Sequence, residues 1–408
     1  MSIVTMIRDI IRRVGRFPSN VDANERTGFV NRTDSTLSYD DGTRTLSITT
    51  ASSYDIYFAN TKKTISTTQQ VTHGTDEGFH YFYFDADDFT LKTTTTFISS
   101  LILGPHVYVG YVYWDATNST NVLDIFDERH GIQLDGQAHY NLHLDIGATW
   151  RSGLALSGIL AGEDGSLNSH AQFGVAAGSI ADEDNVFSIL AVLSTAGLPI
   201  LYLDGAGPVL REATETGFSV LTDTTAGVGV TGRLTYNLNT GGTWSVETCD
   251  NNKFVLCHVF ATNSNTDAKR MYAILGQATY NNTTLARDGA ETEISNILEL
   301  MAIAERKPIA TLIFQTNDSY ANDINARIIS TADGDDYIDW RSNPLSQSNS
   351  IIETNHNSLV GLQGGTAGEY YHLTSDEYSA LHGLDDYVFT TSGGFVMTTS
   401  QSFVKKGD

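Results

Sequence analysis

Short runs of alternating apolar and polar residues, separated by turn-forming clusters, recur along most of this chain and restrict its fold more than any other feature. Thr36-Leu-Ser-Tyr39, Asp40-Asp-Gly42 and Thr43-Arg-Thr-Leu-Ser-Ile-Thr49 read as a hairpin, because an Asp/Gly turn sits between two segments of period two. Strand candidates follow at 54–58, 63–66, 79–84, 89–94, 106–114 and 122–126, with Asp85-Ala-Asp-Asp88 as one intervening turn. Threonine runs such as Thr93 to Thr96, with 19 Tyr and 18 Phe in the chain, suit a pleated, half-buried surface. Residues 27–130 are therefore expected to form a β-sandwich or jelly-roll-like domain. A second β-rich domain is expected over 170–345, from candidates at 172–176, 187–193, 198–203, 244–247, 254–260, 271–275 and 309–314. Residues 131–169 have no clean period and read as an irregular connector with contacts between copies. The expected fold class is thus mainly β, with two β-sandwich/jelly-roll-like domains in tandem.

Two segments break the β pattern. Ile3, Met6, Ile7, Ile10, Ile11 and Val14 fall at i, i+3, i+4, i+7, i+8 and i+11, one apolar stripe of a short amphipathic helix. Arg8, Arg12 and Arg13 occupy its other faces, and Gly15 and Pro18 end it. So short a helix is marginal alone. Its stripe must dock on a partner protein, on this chain's first domain or on a membrane surface; residues 1–26 are read as this anchoring helix and a linker. Further on, Ile294, Ile297, Leu298 and Met301 have helical spacing, and Asp288 with Glu291 reads as a capping box for a helix over 291–304.

The charge balance narrows the partners. The formal net charge is −24, which argues against a nucleic-acid partner, since phosphate binding needs clustered Lys and Arg. It also argues against the membrane reading of the first helix. No apolar run reaches transmembrane length, and the arginines interleaved near the N-terminus leave no signal-peptide core, so no membrane insertion is expected. The two cysteines, Cys249 and Cys257, flank Asp250-Asn-Asn-Lys253. A hairpin turn there sets Cys249 opposite Phe254, so two free thiols are expected.

Candidate chemistry is sparse at this level. Acidic clusters occur at Asp85/Asp87/Asp88, Asp182/Glu183/Asp184 and Asp333/Asp335/Asp336. Each offers oxygen ligands for Ca²⁺, but none has EF-hand spacing, and all three read as solvated turns. His139 and His143 would share a face on a helix or a strand, and such a pair can ligate iron or zinc. They read instead as ordinary polar or interfacial histidines, as do His356, His372 and His382. Gly227-Val-Gly-Val-Thr-Gly232 has no βαβ context and reads as a loop. Tyr108, Tyr111, Tyr113 and Trp114 form an aromatic group that suits a strand core better than a sugar platform. Strict alternation would place Tyr111 and Tyr113 with Val107 and Val109, and Tyr108 on the opposite face. No catalytic, cofactor-binding or metal residue is assigned, no cofactor is expected, and the chain is not expected to be an enzyme.

Near the C-terminus runs Asn355-His-Asn-Ser-Leu-Val-Gly-Leu-Gln-Gly-Gly-Thr-Ala-Gly-Glu-Tyr-Tyr-His-Leu-Thr-Ser-Asp-Glu-Tyr-Ser-Ala-Leu381. Its first half is glycine-dense and favours tight turns or close backbone approach. Its second half presents apolar residues that cannot form a core alone. This stretch resembles a segment that recurs in tail-fibre, baseplate and other virion structural proteins of tailed bacteriophages. A looser resemblance to uncharacterised phage virion proteins covers parts of 170–341. The resemblance implies a virion structural protein of the tail or baseplate, assembling as a homotrimer in the host cytoplasm. Residues 346–408 would be its oligomerisation or tip segment, with Leu359, Leu362, Tyr370, Tyr371, Leu373, Tyr378 and Leu381 between chains. The N-terminal stripe would dock on another tail or baseplate protein, and a host-surface glycan or receptor is a further expected contact. The alternatives are a head-decorating fibre or capsid cement protein, and a glycan-cleaving tailspike. The last would often repeat as a β-helix, and no such period is present.

Overall fold

The computed structural model describes residues 26–343, apart from 98–99, 133–135, 208 and 301–304, together with the strands Tyr387–Phe389 and Phe395–Met397. The docking stripe Ile3–Val14 and the interchain residues Leu359–Leu381 lie outside the described residues. The chain forms two compact units, 1–350 and 351–408. In the second, the two short strands pair antiparallel, Tyr387 opposite Met397.

The first unit is mainly β, as the period-two pattern implies. The expected hairpin forms from Thr36–Asp40 and Thr45–Thr49, with Leu37 opposite Ile48, and its turn runs on through Thr43 and Arg44. Gln69–Thr72, which carries no alternation strong enough to predict, adds a third strand to it. A four-stranded sheet runs in the order Thr120–Asp127, Val107–Asp115, Gly78–Phe84, Leu91–Thr94. The largest sheet has seven strands, with Met271–Tyr280, Phe254–Thr262 and Arg306–Thr316 at its centre.

Phe254–Thr262 is antiparallel to both of its neighbours, so those neighbours run in the same direction. The chain must therefore cross the sheet between them, and the helix Thr283–Leu300 makes the crossing. Ala286, Ala290, Ile294 and Ile297 recur at helical spacing and are fully buried. Asn282 Oδ1 accepts from the Leu285 amide, so the helix starts at Thr283 and not at the expected capping box; Asp288 lies inside it.

The seven-stranded sheet is covered on both faces. Cys257, Val259, Leu312 and Phe314 enter one core with Ile180, Phe187 and Leu198. Leu256, Phe260 and Ile313 enter a second, which also contains Leu101, Tyr108, Tyr111, Val122 and Phe126. Burial on both sides explains why these strands are nearly continuously apolar. It also means that the stretches 27–130 and 170–345 share a core. A third core, with Phe29, Leu46, Ile56, Phe84 and Val109, lies under the N-terminal strands.

Two local expectations are corrected. Tyr108 shares its core with Tyr111 and Tyr113, while Val107, Val109 and Val112 face the third core. The register slips between Phe82 and Tyr83 of the partner strand, and such a bulge switches the face of every later side chain. The turn after Cys249 does form, with the Lys253 amide donating to Asp250 O. It does not close a hairpin, however, because Thr243–Thr248 pairs with Thr235–Thr240 and, through Trp244, with Gly205, while Phe254–Thr262 joins the large sheet. Both thiols are free and buried.

Candidate metal centre

Four chain segments meet beside the second core. The first leaves the strand Thr120–Asp127 and keeps its alternation. Asp127 and Arg129 point one way, where the Arg129 guanidinium pairs with Asp127 and donates to Ser35. Glu128 and His130 point the other way and are buried. The second segment is the short helix Gly136–Asn141, continued by one π-helical turn Leu142–Ile146. It carries His139 and His143, four residues apart on one side, and a π turn inside a helix often marks a functional site. The helix lies so close to the preceding helix Ser100–Leu103 that a Cβ on Gly136 would sit 2.7 Å from Leu103 O.

The third segment is the two-residue turn between the strands Gly178–Asp182 and Asn185–Ile189. Glu183 takes a φ of +50°, a conformation that glycine or asparagine usually supplies. A glutamate holding it directs a carboxylate inwards, and such local strain concentrates at functional sites. The expected solvated turn is corrected here: the Asp182 and Glu183 side chains are 0% and 1% exposed. Glu305 supplies the fourth segment, just before the strand Arg306–Thr316. Its carbonyl accepts from Thr262 Oγ1 at 2.6 Å, which fixes the chain where the carboxylate turns inwards.

The side chains converge closely. His143 Nδ1 is 2.7 Å from Glu305 Oε1 and 3.3 Å from Glu183 Oε1. His139 Nε2 is 2.8 Å from the other oxygen of Glu183. His130 Nε2 faces Glu128 at 3.5 Å and Asp182 at 3.9 Å. Around this inner group sits a supporting layer. Asp184 Oδ1 lies 2.7 Å from His130 Nδ1, and its other oxygen accepts from the Gly131 amide. Asn263 Nδ2 donates to Glu128 Oε1 at 2.8 Å and to Asp182 Oδ2 at 2.9 Å. Carboxylates that orient a ligating histidine through its second nitrogen are the usual surroundings of a protein metal site.

Five carboxylates and three imidazoles are gathered here, and all but Asp184 have nearly fully buried side chains. Burial pushes the Asp182 carboxyl well up, and the neighbouring Glu305 and Glu128 push it further; burial also raises Glu128. Burial alone would lower His130, yet Asp184 and Glu128 raise it well above its usual range. His143 is raised against its burial by Glu305 and Glu183. His139 is lowered by burial and by His130. The directions describe a group of carboxylates that draws in positive charge, with Arg129 committed to Asp127.

His130 Nε2, His139 Nε2, His143 Nδ1 and oxygens of Glu128, Asp182, Glu183 and Glu305 are buried without a hydrogen-bond partner. Unmatched buried polar atoms are costly, and here they point at each other. The set mixes imidazole with carboxylate, which suits zinc, manganese or iron better than the all-oxygen shell of Ca²⁺ or Mg²⁺. A cavity of about 20 Å³ reaches Glu128, His130 and His139 past Thr27, Gly28 and His106. It has room for about one water molecule.

The other sequence candidates stay apart. Asp85 is engaged by Lys92 and by the Asp87 amide. Tyr108, Tyr111, Tyr113 and Trp114 are buried and offer no sugar platform. The Gly227–Gly232 loop wraps the Asp223 carboxylate, which accepts from the Thr231 and Gly232 amides. His356, His372 and His382 lie outside the described residues. The spacing of His139 and His143 and the acidic run Asp182, Glu183 and Asp184 are legible in the sequence. Glu128, His130 and Glu305 are not, since the local signal is limited to Glu128 and His130 standing two apart at a strand end. Comparisons with protein families, with curated proteins and with solved structures found no match for this chain.

Proposed function

We propose that the buried histidine–carboxylate cluster binds transition-metal ions of the zinc, manganese and iron class, and that these ions fasten the body of the protein. One observation carries the reading: three buried imidazole nitrogens and four buried carboxylates crowd within ion-pair distance of one another, and at least one atom of each lacks a hydrogen bond. Metal ions there would neutralise the carboxylates and satisfy the orphaned atoms together. The ligands come from both β-rich stretches and from the segment between them, so binding would tie 128–143, 182–184 and 305 into one unit. Because a metal site rarely exists in the unfolded chain, such binding adds to folding stability. Elemental analysis of the purified protein and its melting temperature before and after chelation test this. Bound metal and a lower melting point after chelation are expected. A metal-free chain whose melting point ignores added zinc, manganese and iron would refute it.

At the level of the particle, we propose a structural protein of a tailed-bacteriophage virion, in the tail fibre or baseplate, assembling as a homotrimer. The segment 355–381 supports this through its resemblance to phage virion proteins. In this reading 27–130 and 170–345 are sandwich-like halves of a rigid body. The N-terminal stripe docks on a virion partner, and the C-terminal residues pack between copies. Repeated weak contacts to a host-surface glycan or receptor would then gain from avidity. Gold labelling of intact particles tests the placement: label at the tail supports it, and label on the head moves the protein to the decorating or cement role. Solution mass measurement tests the trimer, which a monomer at micromolar concentration would exclude.

A further inference from the structure

We infer that the centre holds two metal ions bridged by the Glu183 carboxylate; this rests on the metal reading above. The potential ligand atoms are more than one ion takes. They form four overlapping triads, and in each the atoms lie within 4.8 Å of one another. His130/His139/Glu183 and Glu128/His143/Glu305 share no residue. One ion of this class takes about four to six donors, whereas seven residues converge here, so the two disjoint triads describe two adjoining positions, with His143 Nδ1 3.3 Å from Glu183 and His130 Nε2 3.5 Å from Glu128. The remaining triads, Glu128/His130/Asp182 and Asp182/Glu183/Glu305, link them.

Glu183 presents one oxygen to each position. Oε2 lies 2.8 Å from His139 Nε2, and Oε1 lies 3.3 Å from His143 Nδ1. Its left-handed backbone at the turn tip gives the carboxylate this reach between the two histidines of the helix. Charge agrees with the count. The inner group supplies four buried carboxylates, so one divalent ion leaves two negative charges buried and two leave none. A small cavity lined by Glu128, His130 and His139 adjoins the pair.

The test uses the full chain, stripped with a chelator and reloaded with zinc alone, and counts zinc per chain by native mass spectrometry. Two per chain are expected for the natural protein and one for His139→Ala, with circular dichroism showing that the variant is folded. One zinc in the natural protein overturns the pair and leaves the metal reading standing, whereas none overturns both. A folded His139→Ala that still takes two, or takes none, overturns the assignment of His139 to one of two positions. Loading with manganese gives a second readout that needs no variant. A bridged pair is expected to show an exchange-coupled electron paramagnetic resonance spectrum, and the six-line spectrum of isolated ions at full loading overturns the bridge.

Discussion

Asp182→Asn should have opposite effects on the metal-free and metal-loaded protein. The substitution keeps the shape of the side chain and leaves an oxygen to accept from Asn263, which now donates to Asp182 Oδ2 at 2.9 Å. It removes a carboxyl that burial, then Glu305 and Glu128, hold well above its usual pKa, so that on folding the natural chain must either keep a charge within 4.8 Å of Glu128, Glu183 and Glu305 or take up a proton. Two like charges at that separation repel by about 3 kcal/mol at an effective dielectric of about 20. His130, 3.9 Å from Asp182, offsets part of this. The metal-free variant should therefore be more stable than the natural protein by roughly 2–3 kcal/mol. With zinc in excess the order should reverse, because the variant has lost an anionic ligand and binds the ions more weakly. Denaturant unfolding of both proteins, with chelator and with zinc, measures all four stabilities. The crossing is the signature. A variant less stable than the natural protein under both conditions would show that Asp182 is held by ordinary hydrogen bonding, and the charge argument would fail.

Gly136→Val should push the helix Gly136–Asn141 off Leu103 O, since the added Cβ would lie 2.7 Å from that carbonyl; reduced zinc uptake should accompany a stability loss of about 1–3 kcal/mol, read by mass spectrometry and chemical denaturation. Ile294→Ala should cost about 2–5 kcal/mol, because Ile294 is fully buried between the crossing helix and the sheet, while zinc stoichiometry stays unchanged. His73 carries a pH prediction. Burial, and then His80 stacked 3.9 Å away, lower its pKa to about 4, and its neutral ring is satisfied by Tyr39 and by Gly74 O. The unfolded chain takes up this proton near pH 6.5 and the folded chain only near 4, so the contribution is present above 6.5 and fades as pH falls between those values. Over that window His73→Gln should flatten the stability profile by up to about 3 kcal/mol; an unchanged difference between variant and natural protein from pH 7 to 4 would refute it.

The strands were readable because their signal is local. Leu37, Leu46 and Ile48 alternate with polar neighbours over a few residues, and the same alternation buries them. The crossing helix was readable from Ile294 and Ile297, but its start was not, since the Asn282 cap lies outside the apolar stripe. The faces of Val107–Asp115 were misread past one bulge, which leaves no mark in the residue pattern yet inverts every side chain after it.

The sequence by itself determined a mainly β chain, the places of most strands and a net charge of −24. Only the tertiary structure decided that Glu128, His130, His139, His143, Asp182, Glu183 and Glu305 form one buried group. The physical reason is separation along the chain. Alternation and capping act over a few residues, whereas these ligands come from four segments whose distances are set by sheet pairing, by a helix packed on a helix and by a turn folded under a core. An acidic run such as Asp182-Glu-Asp184 is written the same way whether water or three histidines surround it, and burial alone turns it from a solvated turn into a candidate metal centre.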